Sequence, residues 1–330
     1  MSSTPKLVTI FGGSGFLGRY VAQRMAKEGW RVRVAVRRPN EALHVRPYGA
    51  VGQVEPILAN IRDDASTLAA VTGADAVVNC VGSFDCFGKN NVDAVQVDGA
   101  QRIAKMAQQA GVGRLVHLSA LGADVHSNSR FFQTKAAGEA LVKAAFRSAV
   151  IMRPAVMFGN EDRFFNRPAF FAGLSPVLPI VGANSQQQPV YVDDVAAAIA
   201  QAVLGRASAG VYQLGGPDVA SHRALMAQML GVIRRRRLMI AVPNFAAKIK
   251  AVSFDLCQRL TGGLIKNKIL SADQLRTLSL DCVVDSTAKS FADLGITPCA
   301  MDGILPEYLY RFRPYGQYSE LTESAKDLKT

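Results

Sequence analysis

Two hydrophobic periods take turns along this chain. Leu7–Phe11 is a short, largely apolar run of strand length, and Gly15–Glu28 then brings Leu17, Val21 and Met25 onto one helical face. Arg31–Val36 alternates with the period of a strand, and Ala74–Val81 and Leu115–Ser119 are further apolar runs. Gln96–Ala110 and Thr134–Phe146 read as helices between strands. Later, Pro189–Val192, Asp193–Leu204 and Val211–Leu214 read as strand, helix and strand. Such alternation predicts an α/β fold, a doubly wound parallel sheet covered by helices on both faces.

Beyond Arg153-Pro154 the pattern loosens. Phe158–Pro189 is rich in Phe, Pro and Gly, as an inserted lobe would be, and from about Gly231 the chain turns more helical and basic. Half of the eight tyrosines (Tyr308, Tyr310, Tyr315 and Tyr318) fall within residues 306–330. The predicted organisation is a core of residues 1–160, to which 188–215 return. A smaller C-terminal α/β lobe and basic helical region follows over 161–305, and an aromatic, Arg-rich tail over 306–330.

Composition narrows the class. The 330 residues are 49% hydrophobic and 19% charged, as in a well-packed globular protein. No apolar run reaches the roughly 18 residues of a membrane-spanning helix. Met1–Lys6 leads directly into the first strand, from which we expect no signal or transit peptide, hence a bacterial or an already processed chain. Cys80, Cys86, Cys257, Cys282 and Cys299, and His44, His117, His126 and His222, lack ligand spacing, so no metal site is expected and a reducing compartment is.

The net charge is +12, and part of the excess is Arg234-Arg235-Arg236-Arg237. Without interleaved aromatics or a DNA-binding motif around it, this run does not point to nucleic acid. A solvated helix end, and a contact with acidic protein or anionic lipid, are its two readings.

Chemistry enters at Gly12-Gly13-Ser14-Gly15-Phe16-Leu17-Gly18, between the first strand and the first helix. Gly12 permits the tight turn, Gly15 lets backbone approach a pyrophosphate, and Gly18 allows close packing of helix on strand. This is a Rossmann-type dinucleotide loop in its required context. After the second strand, where NAD-binding chains carry a carboxylate for the ribose, stand Arg37 and Arg38, with Arg19 just past the loop. Arginine suits a 2′-phosphate by charge and bidentate geometry, so NADPH (NADP) is the expected cofactor.

These residues resemble the short-chain dehydrogenase/reductase superfamily, in its extended or atypical branch, over roughly the first 215 residues. The resemblance implies that Asn60 and Ile61 flank the adenine, with Asn60 where Asp is usual. It implies that Asn79-Cys80-Val81-Gly82 is the family's Asn-Ala-Gly-type turn, bringing Val81 and Gly82 to the cofactor. Arg153-Pro154, with Ala155 and Val156, would lie beside the nicotinamide, and Val190–Ala196 resembles another recurring segment. Active members carry a Tyr-x-x-x-Lys pair. Lys135 stands where the lysine belongs, but four residues earlier stands Phe131, and no tyrosine occurs between Tyr48 and Tyr191. Phenylalanine cannot transfer a proton, a step typically worth about 10²–10⁴ in rate, so no catalytic residue is assigned. Ser119 touches the cofactor or takes the catalytic serine's place, a place Ala120 suits equally.

The tail Tyr308–Tyr318, the opening Phe11–Arg19, Phe131 and the basic C-terminal region resemble the nucleotide-binding accessory subunits of respiratory complex I in bacteria. That resemblance spans the chain. It implies a non-catalytic NADPH-binding subunit stabilising the peripheral arm of proton-pumping NADH:ubiquinone oxidoreductase. Its partners would be other complex I subunits, of the quinone-binding module near the membrane junction, with anionic lipid contact through the basic region. Its place would be the cytoplasmic face of a bacterial inner membrane, or the matrix side in a processed eukaryotic chain. The tail's Tyr and Arg content suits an interface independently, the other reading being that its aromatics close over the protein's own core. Two further functions fit the residues: an NADP-dependent reductase or epimerase using Ser119 or water as proton donor, and a soluble NADP-sensing regulator.

Overall fold

The computed structural model describes residues 5–85, 88–242 and 272–318. Seven parallel strands form the central sheet: β1 (Leu7–Phe11), β2 (Arg31–Val36), β3 (Val54–Leu58), β4 (Ala76–Asn79), β5 (Arg114–Leu118), β6 (Val150–Pro154) and a last strand, Gly210–Leu214. Their spatial order is β3-β2-β1-β4-β5-β6 followed by Gly210–Leu214. Strand order reverses between β1 and β4, whose register runs Val8↔Ala76 to Phe11↔Asn79. In open α/β sheets the crevice outside the carboxyl ends at such a reversal is where ligands bind.

Both faces of the sheet are covered. Helix α1 (Phe16–Lys27) and the helix Val192–Val203 bury Leu17, Val21, Met25, Val195 and Ile199 against Val8 and Ile10. On the other face α2 (Asp64–Val71), α3 (Gly99–Gln109) and α4 (Arg130–Ala145) pack Ala70, Ile103 and Val142 against Phe11, Leu115 and Ile151. Side chains of β1 enter both layers, which explains why the strand is apolar at all but Thr9, whose hydroxyl donates to Ala70 O, rather than alternating.

Several elements differ from the sequence reading. β3 and α2 are additional to the expected elements; Pro56 interrupts the apolar run of β3, which is the edge strand, where a proline's missing N–H breaks no ladder bond. α3 is shorter than expected, since Ala94–Asp98 forms a π-helical turn ahead of it. α4 begins at Arg130, four residues early, because the Asp273 carboxylate accepts from the Arg130 and Phe131 amides and caps it from a distant segment.

A third cluster forms the smaller lobe. Phe165, which precedes α5 (Asn166–Leu174), Ala169 of α5, Leu178 of the strand Val177–Val181 and Leu225 and Met229 of the helix His222–Val232 pack with Leu305 and Tyr308 of the helix Met301–Leu309. Past Gly231 the chain forms a strand, Leu238–Val242, paired with Val177–Val181, a run of branched and apolar residues. The arginine run lies beyond its helix and is only partly solvated. Arg235 Nε donates to Phe312 O (2.9 Å) and Arg237 Nε to Ala172 O (2.7 Å). Residues 243–271 of the expected basic helical region lie outside the described residues, as do Cys86 and Cys257. Among the described residues no helix is long and apolar enough to cross a membrane.

Candidate functional site

The phosphate loop is built by sterics. Gly12 holds φ +74°, which a side chain rarely adopts, and its amide donates to Ala35 O of β2 at 3.0 Å. A Cβ on Gly18 would stand 2.3 Å from Gly12 O and 2.6 Å from Gly13 Cα, so only glycine lets the helix sit this close to the turn. Gly15 is the exposed N-cap of α1. No side chain caps the helix and no carboxylate lies in its first turn, which leaves its positive end facing outward over the sheet reversal. Ser14 and Phe16 are half-buried beside it, and Leu17 is in the core.

Arg19, expected to face the cofactor's phosphates, turns its guanidinium to the other lobe. It pairs with Glu161 at 3.0 Å and donates to Ser14 O and Gly15 O at 3.3 Å each, while Tyr20 donates to the same Glu161 carboxylate. Arg37 and Arg38 are exposed just past β2, and Arg38 carries a surface ion pair to Glu41. Asn60 follows β3 and organises its own turn, its amide donating to Ser66 Oγ and its side chain accepting from Arg62 N. Ile61 packs toward Gly99 at the start of α3.

The residues expected beside a nicotinamide come together at three strand ends. Asn79, ending β4, accepts from Val81 N, and Val81 in turn lies against Gly12. Gly82 faces Lys135 across the cleft: a Cβ at this position would lie 3.9 Å from Nζ. Lys135 is buried on α4, donates to Leu118 O at 2.9 Å, and has its pKa lowered to about 8 by burial, with Glu139 one turn on opposing the shift. Glu139 is itself buried in a bidentate pair with Arg153 (2.8 and 2.7 Å). Pro154 ends β6 and accepts from Leu121 N, while Ala155 and Val156 tie it to Leu214 and Val190.

Phe131 occupies the position one turn before Lys135. Its ring stacks on Phe84 (centroids 4.3 Å, 9° between planes), meets Phe132 edge-on at 5.6 Å, and lies 5.9 Å from Lys135 Nζ. Ser119 Oγ and His117 Nε2 are buried and find no hydrogen-bond partner among the described residues. Burial, and then the Lys135 ammonium, push His117 down to about 3, so the imidazole is neutral. Sequence reasoning missed Phe84, Glu161 and Asp273, none of which carries a local motif. Glu139 had one, its Lys-x-x-x-Glu spacing from Lys135.

The arrangement thus combines a glycine turn at an uncapped helix start, a buried lysine bonded to Leu118 O and an orphaned hydroxyl with a phenyl ring one helical turn before the lysine. A cavity of about 270 Å³ lies elsewhere, between Asn160, Tyr191, Glu307 and Arg311.

Residues 8–215 match the NAD dependent epimerase/dehydratase family. The chain is 35% identical over 97% of its length to "NADH dehydrogenase [ubiquinone] 1 alpha subcomplex subunit 9, mitochondrial" of Arabidopsis thaliana, covering 81% of that protein. It is 32% identical to the "NADH-ubiquinone oxidoreductase 40 kDa subunit, mitochondrial" of Neurospora crassa, over 94% of this chain and 80% of that one. Among solved structures, an NADPH-dependent quinone oxidoreductase from Escherichia coli, complexed with NADPH, aligns with a TM-score of 0.69 at 19% identity, over 92% of this chain and 98% of that one. That last likeness establishes the fold. The chain belongs to the NAD dependent epimerase/dehydratase family and is homologous over nearly its whole length to these NADH dehydrogenase subunits.

Proposed function

We propose that this chain is a non-catalytic, nucleotide-binding accessory subunit of NADH:ubiquinone oxidoreductase. The observation that carries the reading is Phe131 one turn before Lys135 beside the glycine turn: the loop and the lysine support a dinucleotide site, and the ring supplies no proton donor. Full-length similarity to subunits of that complex supplies the assembly.

The residues fit a dinucleotide. An uncapped helix start suits a pyrophosphate, and the buried, unpartnered Ser119 hydroxyl suits a ligand group at the strand end. Gly12, Ser14 and Gly15 with the amides of Phe16, Leu17 and Gly18 would hold the pyrophosphate. Asn60 and Ile61 would flank the adenine, and Val81, Gly82, Ser119, Lys135 and Pro154–Val156 the nicotinamide ribose and ring. Arg37 and Arg38 favour NADPH, since both are exposed at the end of β2, where a 2′-phosphate would lie. Arg19 joins the site by bracing the loop carbonyls against Glu161. A bound nicotinamide would supply hydride-transfer capacity, and position 131 carries no phenol to match it with a proton. Retained nucleotide stabilises the fold by mass action, about 4 kcal/mol at a thousandfold its dissociation constant.

Docking would use the C-terminal segment, where Tyr310, Tyr315 and Tyr318 stand exposed beside Arg311 and Arg313, against subunits of the quinone-binding module near the membrane junction. Anionic lipid contact would fall to the smaller lobe. Residues 163–192 and 219–242 hold seven arginines and no carboxylate. Their surface exposes Phe170, Phe171, Leu174, Leu238 and Ile240, a basic and apolar face of the kind that binds a charged interface. On this reading the chain sits peripherally on the inner membrane, on the cytoplasmic face in a bacterium.

Gentle detergent extraction of source membranes, native electrophoresis and nucleotide release from the band holding this chain test the reading. We expect recovery with NADH:ubiquinone oxidoreductase and stoichiometric NADP(H). Recovery only as a free protein would overturn it.

A further inference from the structure

The silence of the nicotinamide cleft has a second source besides Phe131. Phe84 follows the β4 turn and remains 45% exposed, although its ring lies flat on Phe131 at 4.3 Å. An exposed phenyl on a loop needs something to hold it there, and the loop is held firmly. Ser83 Oγ donates to Asn90 O and accepts from Asp85 N, and Val92 N donates to Asp85 O. Ser83 O accepts from Gln96 Nε2, and Gln96 Oε1 accepts from Thr134 Oγ1 at 2.8 Å, one residue before Lys135. The loop carrying Phe84 is therefore tied to the helix carrying Phe131 and Lys135, and the ring pair is a built feature of the site.

A carbonyl undergoing reduction must sit about 3–3.5 Å from the hydride donor and within reach of an acid. The space in front of position 131 and beside Lys135 is where that group would lie. We propose that Phe84 is the specificity-determining residue that shuts this carbonyl subsite, so that restoring a phenol at position 131 alone leaves the site closed. The inference rests on the nucleotide-binding reading above.

Four purified proteins test it: the parent chain, F131Y, F84A and F84A/F131Y, with F84L as a second opening variant that keeps apolar bulk but removes the stacked ring. Each is loaded with NADPH, and retention is read from nucleotide fluorescence. Binding of 9,10-phenanthrenequinone, a flat aromatic dicarbonyl, is then measured by equilibrium dialysis, and NADPH oxidation is followed separately. We expect the parent and F131Y to exclude the quinone, and F84A, F84L and the double variant to bind it. F84A/F131Y should oxidise NADPH with it fastest of the set, at a rate roughly 10²–10⁴ above F84A. Quinone binding and turnover by F131Y equal to those of the double variant would overturn the proposal, as would exclusion of the quinone by NADPH-loaded F84A and F84L. Failure of all the proteins to retain NADPH would instead remove the nucleotide reading, and the proposal with it.

Discussion

The Tyr308 hydroxyl donates to the buried carboxylate of Asp162 at 2.6 Å. The same carboxylate accepts from the amides of Gly159, Phe165 and Asn166, so one side chain closes the loop after Phe158 and fastens the helix Met301–Leu309 to it. Next to it, Glu161 holds Arg19 and Tyr20 beside the phosphate loop. Two adjacent acids thus tie the C-terminal helix and the nucleotide-binding helix to a single turn. Tyr308 also divides the tail: it belongs to the core, and Tyr310, Tyr315 and Tyr318 do not.

Y308F should therefore lower unfolding free energy by about 1.5–3 kcal/mol, the range for a hydrogen bond to a charged group. Three backbone donors still satisfy the carboxylate, which favours the lower end. Urea denaturation monitored by circular dichroism measures it, and an unchanged midpoint would contradict the role given to this bond.

Asp273 caps α4 through Ser129 Oγ (3.1 Å), Arg130 N (2.8 Å) and Phe131 N (2.8 Å). D273A leaves two part-buried helix-start amides without their carboxylate acceptor and should cost about 1–2 kcal/mol. Because Lys135 rides the same helix, NADPH affinity should fall together with stability. D273N, which keeps an acceptor oxygen, should recover part of both. Loss of stability with nucleotide affinity untouched would show that the cap does not position Lys135.

What sequence reasoning reached and what it missed divide along sequence distance. The phosphate loop, β1, α1 and β2 occupy contiguous residues whose periodicity and glycines act locally, and they were legible. Phe131 and Lys135 share one helical face, so their pairing was legible too. Glu161 meets Arg19 and Asp273 meets Phe131 across 142 residues each, and no local pattern announces such contacts. The early start of α4 went unread for the same reason. The arginine run was plain in composition, yet its bonds to Phe312 and Ala172 depend on how the lobe closes.

The glycines of the phosphate loop should separate by role. G18A drives a methyl into Gly12 O, so both folding stability and nucleotide binding should suffer. A Cβ on Gly15 meets only Gly12 O, at 3.2 Å, and otherwise points into the open cleft. G15A should then leave thermal stability without nucleotide nearly unchanged while weakening NADPH at least about tenfold, because the backbone can no longer approach the pyrophosphate. Equal NADPH affinity for G15A and the parent, by titration calorimetry, would contradict the placement of the phosphates.

Cofactor choice should reside at the end of β2. Replacing both Arg37 and Arg38 with alanine removes the charge that would meet a 2′-phosphate and breaks only a surface pair with Glu41. Charge-assisted bonds of about 1.5–3 kcal/mol correspond to roughly a 10- to 100-fold loss of NADPH affinity. NADH affinity should hardly move. Equal losses for both nucleotides would argue that these arginines act on the fold rather than on the phosphate.

Acid sensitivity should trace in part to His117. Its ring bonds Asn79 through Nδ1 at 3.1 Å, and burial with the nearby Lys135 ammonium lowers its pKa from 6.5 to about 3. Between those values the unfolded chain binds a proton that the folded chain refuses. Stability therefore rises with pH across this window: the contribution is fully present above about 6.5 and is lost as pH falls toward 3. The slope from one such group is at most about 1.4 kcal/mol per pH unit. Carboxylates titrate over the same range, so the test is a difference. H117Q keeps an acceptor for Asn79 and removes the titrating ring. Its unfolding free energy, measured from pH 7 down to pH 4 beside the parent's, should fall less steeply, by close to one proton. Parallel pH profiles for the two proteins would mean that His117 gains its proton without opening the fold.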